Sequence, residues 1–155
     1  MSAHELVEIL IEKKLNIAIA ESLTAGLITS KLAEIAGVSQ VLRGGVFAYQ
    51  NDIKAELLGV REKTLAEFGA VSEETAIEMA AGVAQKLDAQ VAISTTGIAG
   101  PTSVDGKPVG LVFIGLWVQG ETWSKNFHFS GTREQIRQAS CGSALEFARE
   151  KLLEV

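Results

Sequence analysis

Apolar residues recur at helical spacing between residues 73 and 87. Ala76, Met79, Ala80, Val83, Ala84 and Leu87 stand at i, i+3, i+4, i+7, i+8 and i+11, which predicts a helix with one buried stripe. Ser72 stands at its N-cap position, and Glu73 and Glu74 fill the first turn, where the helix dipole favours acidic side chains. A second amphipathic pattern covers residues 3–14, with Leu6, Ile9, Leu10 and Lys13 along it. Thr132-Arg133-Glu134-Gln135 reads as a capping box that opens a last helix running to about residue 153, with Cys141, Leu145, Ala148 and Leu152 as its stripe. Shorter helices are predicted over 24–36, stopped by Gly37, over 52–58 with Asn51 as cap and Gly59 as stop, and over 61–68 before Gly69.

The remaining apolar runs are short and read as strands: 15–20 (LNIAIA), 44–50 (GGVFAYQ) and 90–96 (QVAISTT). Residues 109–118 and 122–129 flank Gln119-Gly120 and predict a hairpin. Strands alternate with helices early and an antiparallel pair follows. The expected fold is a three-layer α/β/α sandwich with a mixed sheet, the chain 1–155 forming one domain. In such folds sites gather beyond the carboxyl ends of the strands, here at Glu21–Gly26, Tyr49–Lys54 and Thr95–Pro101.

Composition narrows the chemistry. A single cysteine offers no internal disulfide, and Cys141 lies in an apolar helical stretch, where a small buried side chain is its plainest role. Two histidines and one cysteine argue against a His/Cys zinc site, and neither a metal nor an organic cofactor is expected. The net charge of −5 comes without a basic block, which argues against a nucleic-acid partner. No apolar run reaches the roughly 18 residues of a membrane span, so no membrane partner is expected and a soluble, cytoplasmic protein is the expectation. A homo-oligomer, a dimer first, is expected because short α/β domains often cover their sheet edges by pairing. No GxSxG elbow and no GxGxxG occurs. Gly100 to Lys107 misses the P-loop spacing and has Pro108 where Ser or Thr is required.

What remains is the turn Ala20-Glu21-Ser22-Leu23-Thr24-Ala25-Gly26 between a strand and a helix. Ser22 and Thr24 can cap that helix, or Ser22 can be a nucleophile with nearby amides as oxyanion donors. A nucleophilic serine needs a base, and with histidine scarce Lys54 is the leading candidate if burial lowers its pKa; otherwise it is a solvated surface lysine. Tyr49 can relay a proton, orient the pair, or be an aromatic at the sheet edge. Thr96, Gly97 and Gly100 lie in a glycine loop that can turn amides toward an anion. Arg133 and Arg137, at i and i+4, can grip a phosphate or pair with Glu134 and other acids.

Seven ordered segments carry a family resemblance: AESLTAG (20–26), GGVFAYQNDIK (44–54), LGV (58–60), GAVSEETA (69–76), TGIAGP (96–101), KPVG (107–110) and GTREQIR (131–137). Together they resemble the C-terminal domain of the competence/damage-inducible protein CinA, over about residues 5–150. The resemblance implies a nicotinamide-nucleotide amidase that converts nicotinamide mononucleotide to nicotinic acid mononucleotide and ammonia, in pyridine nucleotide recycling. It implies Ser22 as nucleophile, Lys54 as base and Tyr49 assisting, with Leu23, Thr24, Ala25, Gly26, Thr96, Gly97, Gly100, Arg133 and Arg137 around the substrate. The alternative is a catalytically weak or silent module that binds pyridine nucleotides. The family turn usually reads Ala-Glu-Ser-Cys-Thr-Gly-Gly; Leu23 and Ala25 depart from it, and a left-handed backbone at position 25 would strain alanine by roughly 1 kcal/mol.

Overall fold

In the computed structural model, which describes residues 2–155, a five-stranded mixed sheet lies between two layers of helices. The strands are β1 (Ile17–Glu21), β2 (Leu42–Phe47), β3 (Val91–Gly97), β4 (Leu111–Val118) and β5 (Glu121–His128), in the spatial order β2-β1-β3-β4-β5. β1 runs parallel to both β2 and β3, and β4 and β5 return antiparallel. The helices are α1 (Ser2–Lys13), α2 (Leu27–Ala33), α3 (Asn51–Leu58), α4 (Glu62–Phe68), α5 (Glu73–Lys86) and α6 (Arg133–Glu154). The expected α/β/α sandwich with a mixed sheet is the fold observed. Among the described residues no helix is long and apolar enough to cross a membrane.

Alternation along β1 and β3 divides the core. Ile17, Ile19, Val91 and Ile93 face one side, where they pack with Leu6, Leu10, Leu32, Leu145 and Ala148 of α1, α2 and α6. Ala18, Ala20 and Ala92 face the other side, against Met79, Val83 and Ala84 of α5. Small strand residues there let α5 lie close to the sheet. The predicted α5 stripe is buried through Ala84, and Ser72 caps the helix by accepting from the Thr75 amide. Gly82 of α5 meets the end of α3 so closely that a Cβ there would fall 1.7 Å from the Leu58 carbonyl oxygen. That contact seats α3, the helix that carries Lys54.

Two boundaries differ from the expectation in ways that matter. The helix expected from residue 24 begins at Leu27, because Ala25 (φ +44°) and Gly26 (φ +101°) take left-handed backbone and break the helical path. Asn51 is the first residue of α3 and not its cap; Gln50 precedes it in extended backbone without a side-chain capping bond.

Candidate active site

The turn after β1 is fixed from three sides. The Glu21 carbonyl accepts from the Ala48 amide at 2.8 Å, the Ser22 amide donates to the Thr95 carbonyl at 3.1 Å, and the Ala25 amide closes back on the Ser22 carbonyl at 3.0 Å. Thr24 is fully buried and its hydroxyl pairs with that of Thr95 at 2.8 Å, beneath the turn. Arg137 reaches over from α6: its Nε donates to the Leu23 carbonyl at 2.9 Å and its Nη2 to the Thr24 carbonyl at 3.4 Å, while its Nη1 pairs with Glu134. In a trans peptide the N–H points opposite to the carbonyl of the same unit. Pulling the Leu23 carbonyl toward Arg137 therefore turns the Thr24 N–H away from it. Among the described residues the Leu23 and Thr24 amides have no protein acceptor.

The N-terminus of α2 is not open to a ligand. Glu21, 2% exposed, accepts from the Ile28 amide at 3.0 Å, the Thr29 amide at 3.1 Å and the Thr29 hydroxyl at 2.8 Å. Its carboxylate already occupies the position where an anion would sit. Neither Ser22 nor Thr24 caps the helix; Gly26 holds the cap position without a side-chain bond.

Lys54 lies 2% exposed on α3, and its Nζ donates to Ser22 Oγ at 3.1 Å and to the Tyr49 carbonyl oxygen at 2.8 Å. Burial disfavours the ammonium and lowers its pKa from 10.5 to about 8. No carboxylate among the described residues forms an ion pair with it. Tyr49 thus holds the lysine through its backbone. Its phenol is half exposed and accepts from Arg133 Nη2 at 2.8 Å, so the side chain makes no bond to the Ser22–Lys54 pair. Cys141 is buried on α6 and does not line the cavity, and burial pushes its thiol up to about 11, away from the thiolate a nucleophile needs.

Ser22 and Lys54 open into a cavity of about 400 Å³, within the range of small-ligand sites. It is lined by Leu23, Tyr49 and Asn51, by Val71, by Thr96, Gly97, Ile98, Gly100 and Val104, and by Arg133 of α6. Two basic side chains, Lys54 and Arg133, line it, and no acidic one does. Gly97 cannot carry a side chain: a Cβ would lie 2.7 Å from Val112 Cγ2 and 2.9 Å from the Leu111 carbonyl oxygen. Thr96 donates to the Ala70 carbonyl, and Arg133 to that of Gly100, so loop, α6 and Tyr49 are tied together at the mouth.

The residues singled out from the sequence do not all meet there. Ser22, Leu23, Tyr49, Lys54, Thr96, Gly97, Gly100 and Arg133 line the cavity. Thr24 lies beneath the turn, Ala25 and Gly26 lie off the cavity, and Arg137 grips backbone carbonyls where a phosphate had been expected. Pairing with Glu134, the other role open to Arg137, is also present. Asn51 was read as a cap and lines the cavity; its position three residues before Lys54 was the available signal. Glu21 was overlooked as a clamp, although a carboxylate ending the buried run IAIAE was a signal for a committed partner.

A family model described as the CinA C-terminal domain matches residues 1–152. The chain is 49% identical over 154 residues to a CinA-like protein of Kosmotoga olearia, covering 98% of this chain and 37% of the relative. It is 48% identical over 145 residues to a putative competence-damage inducible protein of Clostridium tetani, covering 93% of this chain and 36% of the relative. The chain therefore spans little more than a third of the length of these curated relatives. Among solved structures, a competence-damaged protein (CinA) superfamily protein from Klebsiella pneumoniae superposes with a TM-score of 0.97 at 28% identity, covering 99% of this chain and 97% of that one. A competence/damage inducible protein from Agrobacterium tumefaciens superposes with a TM-score of 0.86 at 39% identity, covering 95% and 93%. The ordered segments, the mixed sheet and these matches converge: the chain belongs to the CinA C-terminal domain family.

Proposed function

We propose that this domain is an amidase that hydrolyses the carboxamide of nicotinamide mononucleotide to nicotinic acid mononucleotide and ammonia. The observation that carries the reading is the 3.1 Å contact between Lys54 Nζ and Ser22 Oγ, with the lysine buried and its pKa lowered to about 8. A lysine in that state can surrender its proton near neutrality and then accept the serine proton. Ser22 Oγ attacks the carboxamide carbon as Lys54 takes the hydroxyl proton. The oxyanion is received by the unpartnered amide of Leu23, which lines the cavity. Lys54 passes its proton to the departing nitrogen, which leaves as ammonia and an acyl-Ser22. Water then attacks the acyl carbon, Lys54 takes its proton, and the proton returns to Ser22 Oγ as the acid leaves.

The all-basic charge of the cavity suits the phosphate of a mononucleotide, with Arg133 as its partner at the mouth. Leu23, Val71, Ile98 and Val104 offer apolar surface for the pyridine ring. The reading is tested by ammonia release from nicotinamide mononucleotide, with Ser22→Ala beside the parent chain. Turnover by the parent and none by the variant is the expected result. Binding of the nucleotide by calorimetry without ammonia release would replace the amidase with a silent binding module.

A further inference from the structure

Most polar side chains that line the cavity are already satisfied within the protein. Ser22 and Lys54 bond each other, the Tyr49 hydroxyl and Arg133 bond each other, and Thr96 donates to the Ala70 carbonyl. Among the described residues Asn51 and Thr102 are the lining polar side chains without a partner there. Thr102 is exposed on the loop beyond Pro101, toward the rim. Asn51 lines the cavity from the helix that carries Lys54. It is the first residue of α3, and Lys54, one turn later, runs its side chain back toward the start of the helix to reach the Tyr49 carbonyl. Asn51 and Lys54, at i and i+3, are neighbours on one face of α3, and both line the cavity.

Resting on the amidase reading, we infer that Asn51 is a substrate-contacting residue that selects primary amides over esters of the same acid. A primary carboxamide brings one carbonyl and two N–H groups. Its carbonyl is provided for by the Leu23 amide. Its N–H groups need acceptors; in the reacting state the one lone pair of neutral Lys54 is engaged by the Ser22 hydroxyl proton, and Arg133 offers donors only. Of the two uncommitted lining side chains, Asn51 is the one on the helix that carries Lys54, and its side-chain carbonyl can accept. An ester has no N–H to give it, so the contact favours the amide alone.

The test compares kcat/KM for nicotinamide mononucleotide, read as ammonia, with that for the ethyl ester of nicotinic acid mononucleotide, read as ethanol. Asn51→Ala is expected to lower the amide-to-ester ratio about tenfold, the scale of one lost hydrogen bond that leaves a bound N–H unpaired. Asn51→Asp retains an acceptor and is expected to restore most of the ratio. It also places a carboxylate near Lys54, so the rise of activity with pH moves to higher pH. Asn51 is exposed, and unchanged thermal melts of both variants would exclude misfolding as the cause. An unchanged ratio in Asn51→Ala, or an aspartate that fails to restore it, overturns the inference. A parent chain that cleaves the ester and releases no ammonia overturns the amidase reading, an outcome separate from either.

Discussion

Lys54 donates to Ser22 Oγ across 3.1 Å from a helix that follows the strand next to the one that delivers the serine. The parallel pair β1 and β2 sets both groups at the same end of the sheet, and burial prepares the lysine to act as a base.

Activity should rise with pH. With Lys54 at about 8, only about a tenth of it is neutral at pH 7, and the neutral form is the one that accepts the serine proton. The profile of kcat/KM for the free enzyme is expected to climb through about pH 8 and level off above it. A profile that stays flat from pH 6 to 10 would remove Lys54 as the base.

Replacing Lys54 with methionine should separate activity from stability. The unfolded chain holds its lysine proton up to about 10.5 and the folded chain only to about 8, so between these values the unfolded state binds more protons and stability rises with pH. At pH 7 the folded state carries the desolvation cost in full. Lys54→Met is therefore expected to stabilise the fold at pH 7 by on the order of 2–3 kcal/mol, less the loss of its two hydrogen bonds. The gain should fade toward pH 10.5, while catalysis falls by about 10²–10⁴-fold. Denaturant melts at pH 7 and pH 10, beside ammonia assays, measure both.

The two arginines of α6 should fail differently. Arg137 holds the Leu23 and Thr24 carbonyls, so Arg137→Lys, which loses the fork, is expected to lower kcat by about tenfold or more with KM nearly unchanged. Arg133 faces the cavity mouth, so Arg133→Met is expected to raise KM for the phosphorylated substrate by about tenfold and to weaken its salt dependence. Steady-state kinetics at two ionic strengths distinguish them; equal effects on both constants would contradict the division.

Ala25 sits at φ +44° on an exposed turn. Ala25→Gly should remove that strain and raise stability by about 0.5–1 kcal/mol, read as an upward shift in Tm. A lower Tm would show that the unfolded-state entropy of glycine outweighs the strain.

Much of this arrangement was legible from local pattern. The α5 stripe, the Thr132–Gln135 capping box and the three strand-end loops each follow from residues near in sequence, and the structure has both capping-box bonds, Gln135 N–H to Thr132 Oγ1 and Thr132 N–H to Gln135 Oε1. What escaped depends on groups far apart in the chain. Arg137 meets Leu23 more than a hundred residues away, and no spacing rule separates a guanidinium that grips carbonyls from one that grips a ligand. Glu21 satisfies amides seven and eight residues ahead of it, across a turn, where capping rules look only to the residues beside the first helical turn. The later start of α2 has a local cause: Ala25 and Gly26 both take left-handed backbone, a conformation that an alanine by itself does not signal.

The order of the strands has an evolutionary consequence. The reacting pair is complete by residue 54, whereas the lining residues Ile98 to Val104 belong to a single excursion between β3 and β4. Part of the recognition surface is thus written on a stretch of the gene separate from the chemistry. Exchange of that one excursion would retune which acyl group is admitted while the bond-breaking apparatus passes unaltered from one descendant to the next.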